Sequence, residues 1–240
     1  HSKRHTSRKP AIRQIGNLRY AWRSSPVWVI PWLAASLVLA VVALAAAASW
    51  ETPTPTASPP VTAPPESFFA MVGERDRDAA RQFYKKHIDV QGLPAVASGE
   101  VADLALQRTH SIVSHLLAGR PDLIGAMVKN RMYLIVIGKD QVYTDMPEHR
   151  NHPNPAYQNE RVRGTGGRPT SFGEENLLSL PLDRYDDESI AVHEFCHTID
   201  GALASVDTTW NERKKGAYQN ARRKGLFRDT YAGSNAGEYW

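Results

Sequence analysis

The sequence has a single cysteine, Cys196, among its 240 residues, so no disulfide bond can form within the chain. It has no acidic residue before Glu51 and no charged residue between Val27 and Trp50. It also has no internal repeat that would indicate a solenoid or a propeller. The uneven distribution of charge divides the chain into a basic segment, an uncharged segment and a remainder of mixed charge.

The uncharged stretch, residues 27–50, is predicted to be a transmembrane signal-anchor helix. At about 1.5 Å per residue it can cross a hydrocarbon core of about 30 Å, and tryptophans lie near both of its ends. Residues 1–26 are basic, which predicts a cytoplasmic tail and an extracytoplasmic domain after the anchor. The alternative is a cleaved signal peptide ending in the run Ala45–Ala48, for which the apolar stretch is long.

Residues 51–66 are predicted to be an extended linker, because six prolines stand among Thr, Ala and Ser. At about 3.1 Å per residue, Thr52–Glu66 would reach about 45 Å. Seven of the 29 basic residues precede residue 51, which leaves 22 basic against 25 acidic residues in the rest. The net charge of +4 therefore comes from the tail, and the folded part gives no reason to expect nucleic-acid binding.

The run His-Glu-Phe-Cys-His at positions 193–197 is the stretch of the sequence that most strongly indicates a chemical function. On an α-helix, residues four apart lie on one face, so His193 and His197 can share one metal ion with Glu194 beside it. Imidazole nitrogens suit Zn²⁺, which makes a bound water acidic enough to attack a carbonyl. The pattern predicts a zinc hydrolase centre in which Glu194 takes the proton of that water.

The surrounding residues are consistent with a short helix that carries both histidines. Tyr185–Ser189 offers an N-cap and acidic first-turn residues, and Gly201 is the predicted helix end. A third protein ligand is needed. The downstream candidates are Asp200, Asp207, Glu212, Asp229 and Glu238.

Position argues against two of these candidates and leaves Glu238 as the better one. Glu212 lies in the charged helical segment Thr208–Gly225, where a solvent-facing side chain is the default. Asp200 is better placed to orient a histidine than to complete a tetrahedron. Glu238 stands three residues after Asn235, which is equally the pattern of a helix capping box.

The motif at 193–197, followed by Tyr-Ala-Gly-Ser-Asn-Ala-Gly-Glu-Tyr-Trp at 231–240, resembles the anthrax lethal-factor-like branch of the zincin metallopeptidases, which bind zinc through HExxH and a downstream glutamate. The resemblance implies an α+β zincin-like fold. It makes His193, His197 and Glu238 the zinc ligands, Glu194 the general base and Tyr231 the oxyanion donor. The chain departs from the family at Cys196, where a small residue is usual.

Residues 67–240 are predicted to be one zincin-like domain, truncated at its C-terminus because the family's ligand helix runs well past the glutamate. Cys196 is predicted to be a small buried core residue. The remaining predicted elements are helices at Arg75–Ile88, Val101–Gly119 and Thr208–Gly225, a buried strand at Arg131–Gly138, a second strand at Asn176–Leu180, and a site rim or surface loop at Gly164–Pro169. The strand at Asn176–Leu180 is either a substrate-facing edge strand or a plain core strand.

The sequence therefore predicts a membrane-anchored, extracytoplasmic zinc metallopeptidase that hydrolyses peptide bonds of a peptide or protein substrate. Two alternatives stay open. One is a surface binding or scaffold domain that keeps a metal site without turnover. The other is a zinc hydrolase of non-peptide bonds, because the pocket and not the metal selects the acyl compound.

Overall fold

Residues 58–185 and 188–240 are described by the computed structural model, and they belong to the second of two units into which the chain divides, Pro55–Trp240. The predicted tail, the predicted membrane span and most of the predicted linker lie outside these residues. None of the helices within the described ranges combines the length and the apolar character that crossing a bilayer requires.

A five-stranded sheet in the order β1-β2-β3-β5-β4 forms the centre of the domain. The strands are β1 (Tyr84–Val90), β2 (Leu93–Ser98), β3 (Leu134–Ile137), β4 (Gly164–Thr165) and β5 (Thr170–Gly173). The neighbours β2, β3 and β5 run parallel, whereas β1 and β4 pair antiparallel to them at the two edges.

Helices flank this sheet and lie before, between and after its strands in the chain. They are α1 (Glu66–Phe69), α2 (Glu74–Phe83), α3 (Asp103–Leu116), α4 (Pro121–Lys129), α5 (Pro155–Arg161), α6 (Glu174–Leu177), α7 (Ile190–Val206), α8 (Trp210–Arg223) and α9 (Ala236–Tyr239). Short 3-10 turns lie at Tyr143–Asp145 and Tyr231–Gly233.

The core lies on both faces of the sheet, and β3 shows why its sequence is continuously apolar. Leu134 and Val136 pack into the larger apolar cluster with α3, α4 and α7. Ile135 and Ile137 point the opposite way, into a smaller cluster with α1 and Tyr84. Successive side chains of a strand alternate between faces, so a strand covered on both sides carries no polar face.

The sequence correctly predicts three of these elements. The predicted amphipathic helix corresponds to α3, the predicted buried strand to β3, and the charged helical segment near the C-terminus to α8. The domain is thus mixed α and β with a five-stranded sheet. The zincin fold itself stays a prediction.

The predicted strand at Asn176–Leu180 is wrong, since the chain forms helix α6 and a turn there. The buried Glu174 side chain explains the difference. Its two carboxylate oxygens accept hydrogen bonds from the backbone nitrogens of Ala102 and Lys139, at 2.8 and 2.9 Å. These contacts end β5 and turn the chain out of the sheet, so the edge position next to β5 belongs to β4.

Two predicted boundaries are also wrong. The helix expected over Arg75–Ile88 ends at Phe83, because Tyr84, Ile88 and Val90 bury their side chains in strand β1 against β2. Gly201 does not end its helix, which continues to Val206. Burial of Ala202 and Leu203 against the core offsets the cost of an internal glycine, which is about 1 kcal/mol.

Candidate metal centre

Helix α7 presents the two motif histidines to one side and its apolar residues to the core. The Ser189 hydroxyl caps the helix by accepting a hydrogen bond from the Val192 nitrogen at 3.4 Å. Phe195 is fully buried, whereas His193 and His197 are half-buried. The predicted helical context of the motif is therefore confirmed.

Three donor atoms from this helix and from α9 form a small triangle. The Nε2 atoms of His193 and His197 lie 3.1 Å apart. Glu238 Oε2 lies 3.4 Å from the first and 3.5 Å from the second. Ligands about 2.05 Å from a tetrahedral zinc ion are roughly 3.3 Å from one another, so this triangle has the size of one face of a zinc site.

The buried Oε2 atom of Glu238 is a second indication that this cluster suits a cation. Its Oε2 atom is buried and has no hydrogen-bond partner among the described residues. A buried carboxylate oxygen without a partner is costly, and a cation in contact with it removes that cost. His193, His197 and Glu238 also form the metal-ligand cluster found within residues 58–185 and 188–240.

Helix α9 directs the Glu238 side chain towards the histidines. Asn235 caps this helix, since its Oδ1 accepts hydrogen bonds from the nitrogens of Gly237 and Glu238 at 2.9 and 3.1 Å. The side chain of Glu238 does not fold back onto Asn235, as a full capping box requires, but faces His193 and His197. The cap and the ligand role are thus compatible at this position.

Two aromatic residues hold the segment that contains Glu238. The indole of Trp240 packs against Trp210 with ring centroids 4.4 Å apart, and its nitrogen donates to the Cys196 carbonyl at 3.2 Å. Tyr239 packs against Tyr218 of α8 at 5.7 Å. These contacts hold the Glu238 segment against α7 and α8.

A carboxylate that the sequence did not single out orients the first histidine. Glu188 Oε1 lies 2.8 Å from His193 Nδ1, the ring nitrogen on the side away from the triangle. Such a contact fixes the ring and makes the opposite nitrogen a better ligand. Glu188 was interpreted only as an acidic residue before a helix, and its short distance to His193 in the chain was the available signal.

Asp200 does not have the orienting role predicted for it. Its Oδ1 accepts a hydrogen bond from Trp210 Nε1 at 2.6 Å, and its other oxygen pairs with Lys214. Asp200 therefore joins α7 to α8. Its contribution to the centre is indirect, because Trp210 is the residue on which Trp240 packs.

Glu194 lies beside the histidines, under the loop that follows β4. Burial raises the pKa of its carboxyl above the ordinary value, although both histidines and a hydrogen bond from the Gly166 nitrogen act in the opposite direction. A carboxylate with a raised pKa is a better proton acceptor near neutral pH.

Tyr231 is placed next to the centre by the 3-10 turn that it begins. Its ring centroid lies 5.9 Å from that of His193, and its side chain is 66% exposed. Partial burial and the Glu238 and Glu194 carboxylates raise the pKa of Tyr231 above 10. The phenol therefore keeps its proton at neutral pH.

The segment Gly164–Pro169 lies against α7, beside the candidate centre. A Cβ atom on Gly166 would lie 2.5 Å from His197 Cβ and 2.9 Å from the Glu194 carbonyl oxygen. The Gly167 nitrogen also donates to the buried Thr198 hydroxyl at 3.1 Å. Close backbone approach explains Gly164 and Gly166, which lie against the helix that carries both histidines. The role of this loop as a site rim stays a prediction.

Cys196 only partly fits its predicted role as a buried core residue. Its thiol is half-buried, and burial raises its pKa. It is not one of the clustered metal-ligand residues within the described ranges. Its contribution to the centre is the backbone carbonyl that accepts from Trp240.

The arrangement therefore offers three ligand atoms to one cation, with a carboxylate and a phenol at its border. Two imidazoles and one carboxylate leave the fourth position of a tetrahedral zinc ion open, as catalytic sites require. Comparisons with protein-family models, with curated proteins and with solved structures found no match to this chain.

Proposed function

We propose that this domain is a zinc-dependent metallopeptidase. One observation carries the proposal: the donor atoms of His193, His197 and Glu238 lie 3.1 to 3.5 Å apart, at the spacing of ligands on one zinc ion. The oxygen of Glu238 that completes the triangle is the one with no other partner among the described residues.

A zinc ion held by His193, His197 and Glu238 would supply an acidified water and a positive charge for the scissile carbonyl. The Glu194 carboxylate accepts the proton of the attacking water and delivers it to the nitrogen of the leaving amine. Its raised pKa suits both steps, because the same group must gain the proton and then lose it.

Tyr231 donates its phenolic hydrogen to the carbonyl oxygen as that oxygen gains negative charge. The interaction strengthens in the transition state and so lowers the barrier. The position of the phenol near His193 and the Glu238 carboxylate supports this role.

An extended peptide is the substrate that suits the neighbouring sheet edge. β4 is the edge strand beyond β5, and the glycines of β4 and its loop lie against α7. An edge strand offers unpaired backbone groups to a second strand. We propose that the substrate backbone pairs with β4, which takes the role first predicted for Asn176–Leu180.

The predicted anchor at residues 27–50 gives the proposed location. The domain would stand outside the cell membrane on the linker of residues 51–66, with the N-terminus in the cytoplasm. This location is a proposal from the sequence.

The test is turnover of a peptide pool by the full chain with zinc, followed by mass spectrometry. We expect cleavage that stops with a metal chelator and returns with added zinc. Glu194→Gln should abolish cleavage while zinc stays bound, and Tyr231→Phe should lower kcat by about 10²- to 10³-fold. Glu212→Gln, a change of an exposed carboxylate on α8, is the matched control.

Unchanged cleavage by Glu194→Gln would remove this residue from the mechanism. A folded, zinc-loaded chain that cleaves no peptide would favour the scaffold alternative, and cleavage of ester substrates alone would favour a hydrolase of non-peptide bonds.

A further inference from the structure

The C-terminal end of α8 carries a basic and apolar surface that the proposed reaction does not use. Residues 222–229, Arg-Arg-Lys-Gly-Leu-Phe-Arg-Asp, contain four basic side chains and one acidic side chain, and all eight residues are exposed. We call six of them the basic tip: Arg222, Arg223, Lys224, Leu226, Phe227 and Arg228.

The charges of the basic tip are available to an external partner. Earlier in α8, Arg213 pairs with Asp207 and Lys214 pairs with Asp200. None of the four basic residues of the tip has a carboxylate within ion-pair distance in the part of the chain that the structure describes. The tip therefore presents positive charge that no described acidic group neutralises.

An ordered turn holds two apolar side chains between these charges. Gly225 has φ 68°, its nitrogen donates to the Arg222 carbonyl at 3.0 Å, and the Leu226 nitrogen donates to the Ala221 carbonyl at 3.0 Å. This pair of bonds is the Schellman motif, which ends a helix firmly. Leu226 is nevertheless 51% exposed and Phe227, at the rare φ of 57°, is 49% exposed.

We propose that the basic tip docks onto an anionic lipid surface, with Leu226 and Phe227 entering the headgroup region. Basic side chains meet anionic headgroups while neighbouring apolar side chains leave water. Each Lys or Arg near such a surface strengthens binding about fivefold. The apolar pair favours lipid over an acidic protein, because a lipid surface offers both charge and an apolar phase.

The basic tip adjoins the segment that completes the metal centre. The Phe227 ring lies 5.7 Å from that of Tyr239, and a Cβ atom on Gly233 would lie 2.2 Å from the Phe227 carbonyl oxygen. Tyr231 and Glu238 belong to the same segment. Docking therefore brings the centre to the bilayer surface and favours substrates close to the membrane. This preference for substrates rests on the proposed function, whereas the lipid binding does not.

The test places an environment-sensitive label on the tip of the full chain. Cys196→Ser removes the single thiol, and Leu226→Cys receives an NBD fluorophore. The chain is reconstituted into vesicles of phosphatidylcholine alone or with phosphatidylglycerol, with spin-labelled lipid as quencher. The predicted linker reaches about 45 Å, so anchoring of the chain does not by itself bring the label to the bilayer. Quenching therefore reports docking of the basic tip.

We expect a blue shift and quenching with phosphatidylglycerol but not with phosphatidylcholine alone. The combined change Arg222→Glu, Arg223→Glu and Lys224→Glu should return quenching to the phosphatidylcholine level without unfolding the domain, because all three side chains are exposed. The same label at Leu104→Cys on α3, where the native side chain is 61% exposed, is the matched control and should stay unquenched.

Equal or absent quenching in the two kinds of vesicle would overturn the proposal. So would quenching that survives the charge reversals. A label that responds to poly-glutamate but to neither kind of vesicle would assign the basic tip to an acidic protein surface instead. Because the readout involves no turnover, it stands or fails independently of the metallopeptidase proposal.

Discussion

The indole nitrogen of Trp240 donates a hydrogen bond to the Cys196 carbonyl at 3.2 Å, which fastens the segment of Glu238 to the helix of both histidines. Its ring also packs on Trp210, which α7 holds through Asp200. Aromatic packing thus helps to position the third ligand of the candidate centre.

We expect Trp240→Ala to weaken zinc binding by about 10- to 100-fold, the range typical of residues that position metal ligands. The loss follows from partial release of the Glu238 segment, because only the Asn235 cap and the packing of Tyr239 would then hold it. Competition with a chelator measures the zinc affinity. Leu104→Ala, an exposed apolar change elsewhere, is the control, and equal affinities of the two variants would show that Trp240 has no positioning role.

Replacement of the orienting carboxylate should affect the same quantity by a different route. Glu188→Gln removes the charge that faces His193 Nδ1 at 2.8 Å, so we expect zinc affinity to fall about tenfold. The fold should be unaffected, since Glu188 is exposed. Glu160→Gln is the control variant, and an unchanged affinity in Glu188→Gln would make this contact incidental.

Two glycine-to-alanine changes should act in opposite directions. Gly166→Ala puts a Cβ atom 2.5 Å from His197 Cβ, and we expect a loss of about 1 to 3 kcal/mol in the free energy of unfolding. A Cβ atom on Gly201 meets nothing within 4 Å, so Gly201→Ala within α7 should gain about 0.5 to 1 kcal/mol. Urea unfolding of the full chain compares them, and equal effects would contradict the close approach at Gly166.

Acid should destabilise the domain through His149. Burial and the neighbouring His152 lower the pKa of His149 from 6.5 to about 4, while its ring stacks on Tyr143 at 4.1 Å. Below pH 6.5 the His149 imidazole binds a proton in the unfolded chain, whereas in the folded chain it stays neutral down to about pH 4. The free energy of unfolding is therefore highest above pH 6.5 and decreases as the pH falls.

After allowance for solvent screening, we expect the parent to lose about 1 kcal/mol more than His149→Gln between pH 7 and pH 5. Urea unfolding at the two pH values measures the difference. His110→Gln on α3 is the control and should follow the parent. Parallel losses in the parent and in His149→Gln would contradict the assignment.

Local periodicity made much of the candidate centre predictable. The spacing of His193, Glu194 and His197 needs only a helix, and the helix is set by its own cap and apolar residues. Glu238 was reached through the resemblance, because residues alone left a capping box equally open. The structure shows that Asn235 caps the helix while the glutamate faces the histidines.

Nearness to His193 in the chain makes Glu188 a candidate, but its contact with the ring depends on distant residues. The Asn176 side chain donates to the Glu188 carbonyl at 2.8 Å and accepts from the Ile190 nitrogen at 2.7 Å. It thereby shapes the turn before α7, which no local pattern reveals. The strand β1 was missed for a similar reason, since its pairing with β2 overrides the helical pattern of its charged residues.

Zinc content of the full chain tests the account most directly. Elemental analysis for zinc and iron should find about one zinc per chain in the parent, and loss of that zinc in both His193→Ala and Glu238→Ala, with Glu212→Ala retaining it. Zinc retained in Glu238→Ala, or a folded parent that binds none, would contradict a centre built from these three ligands.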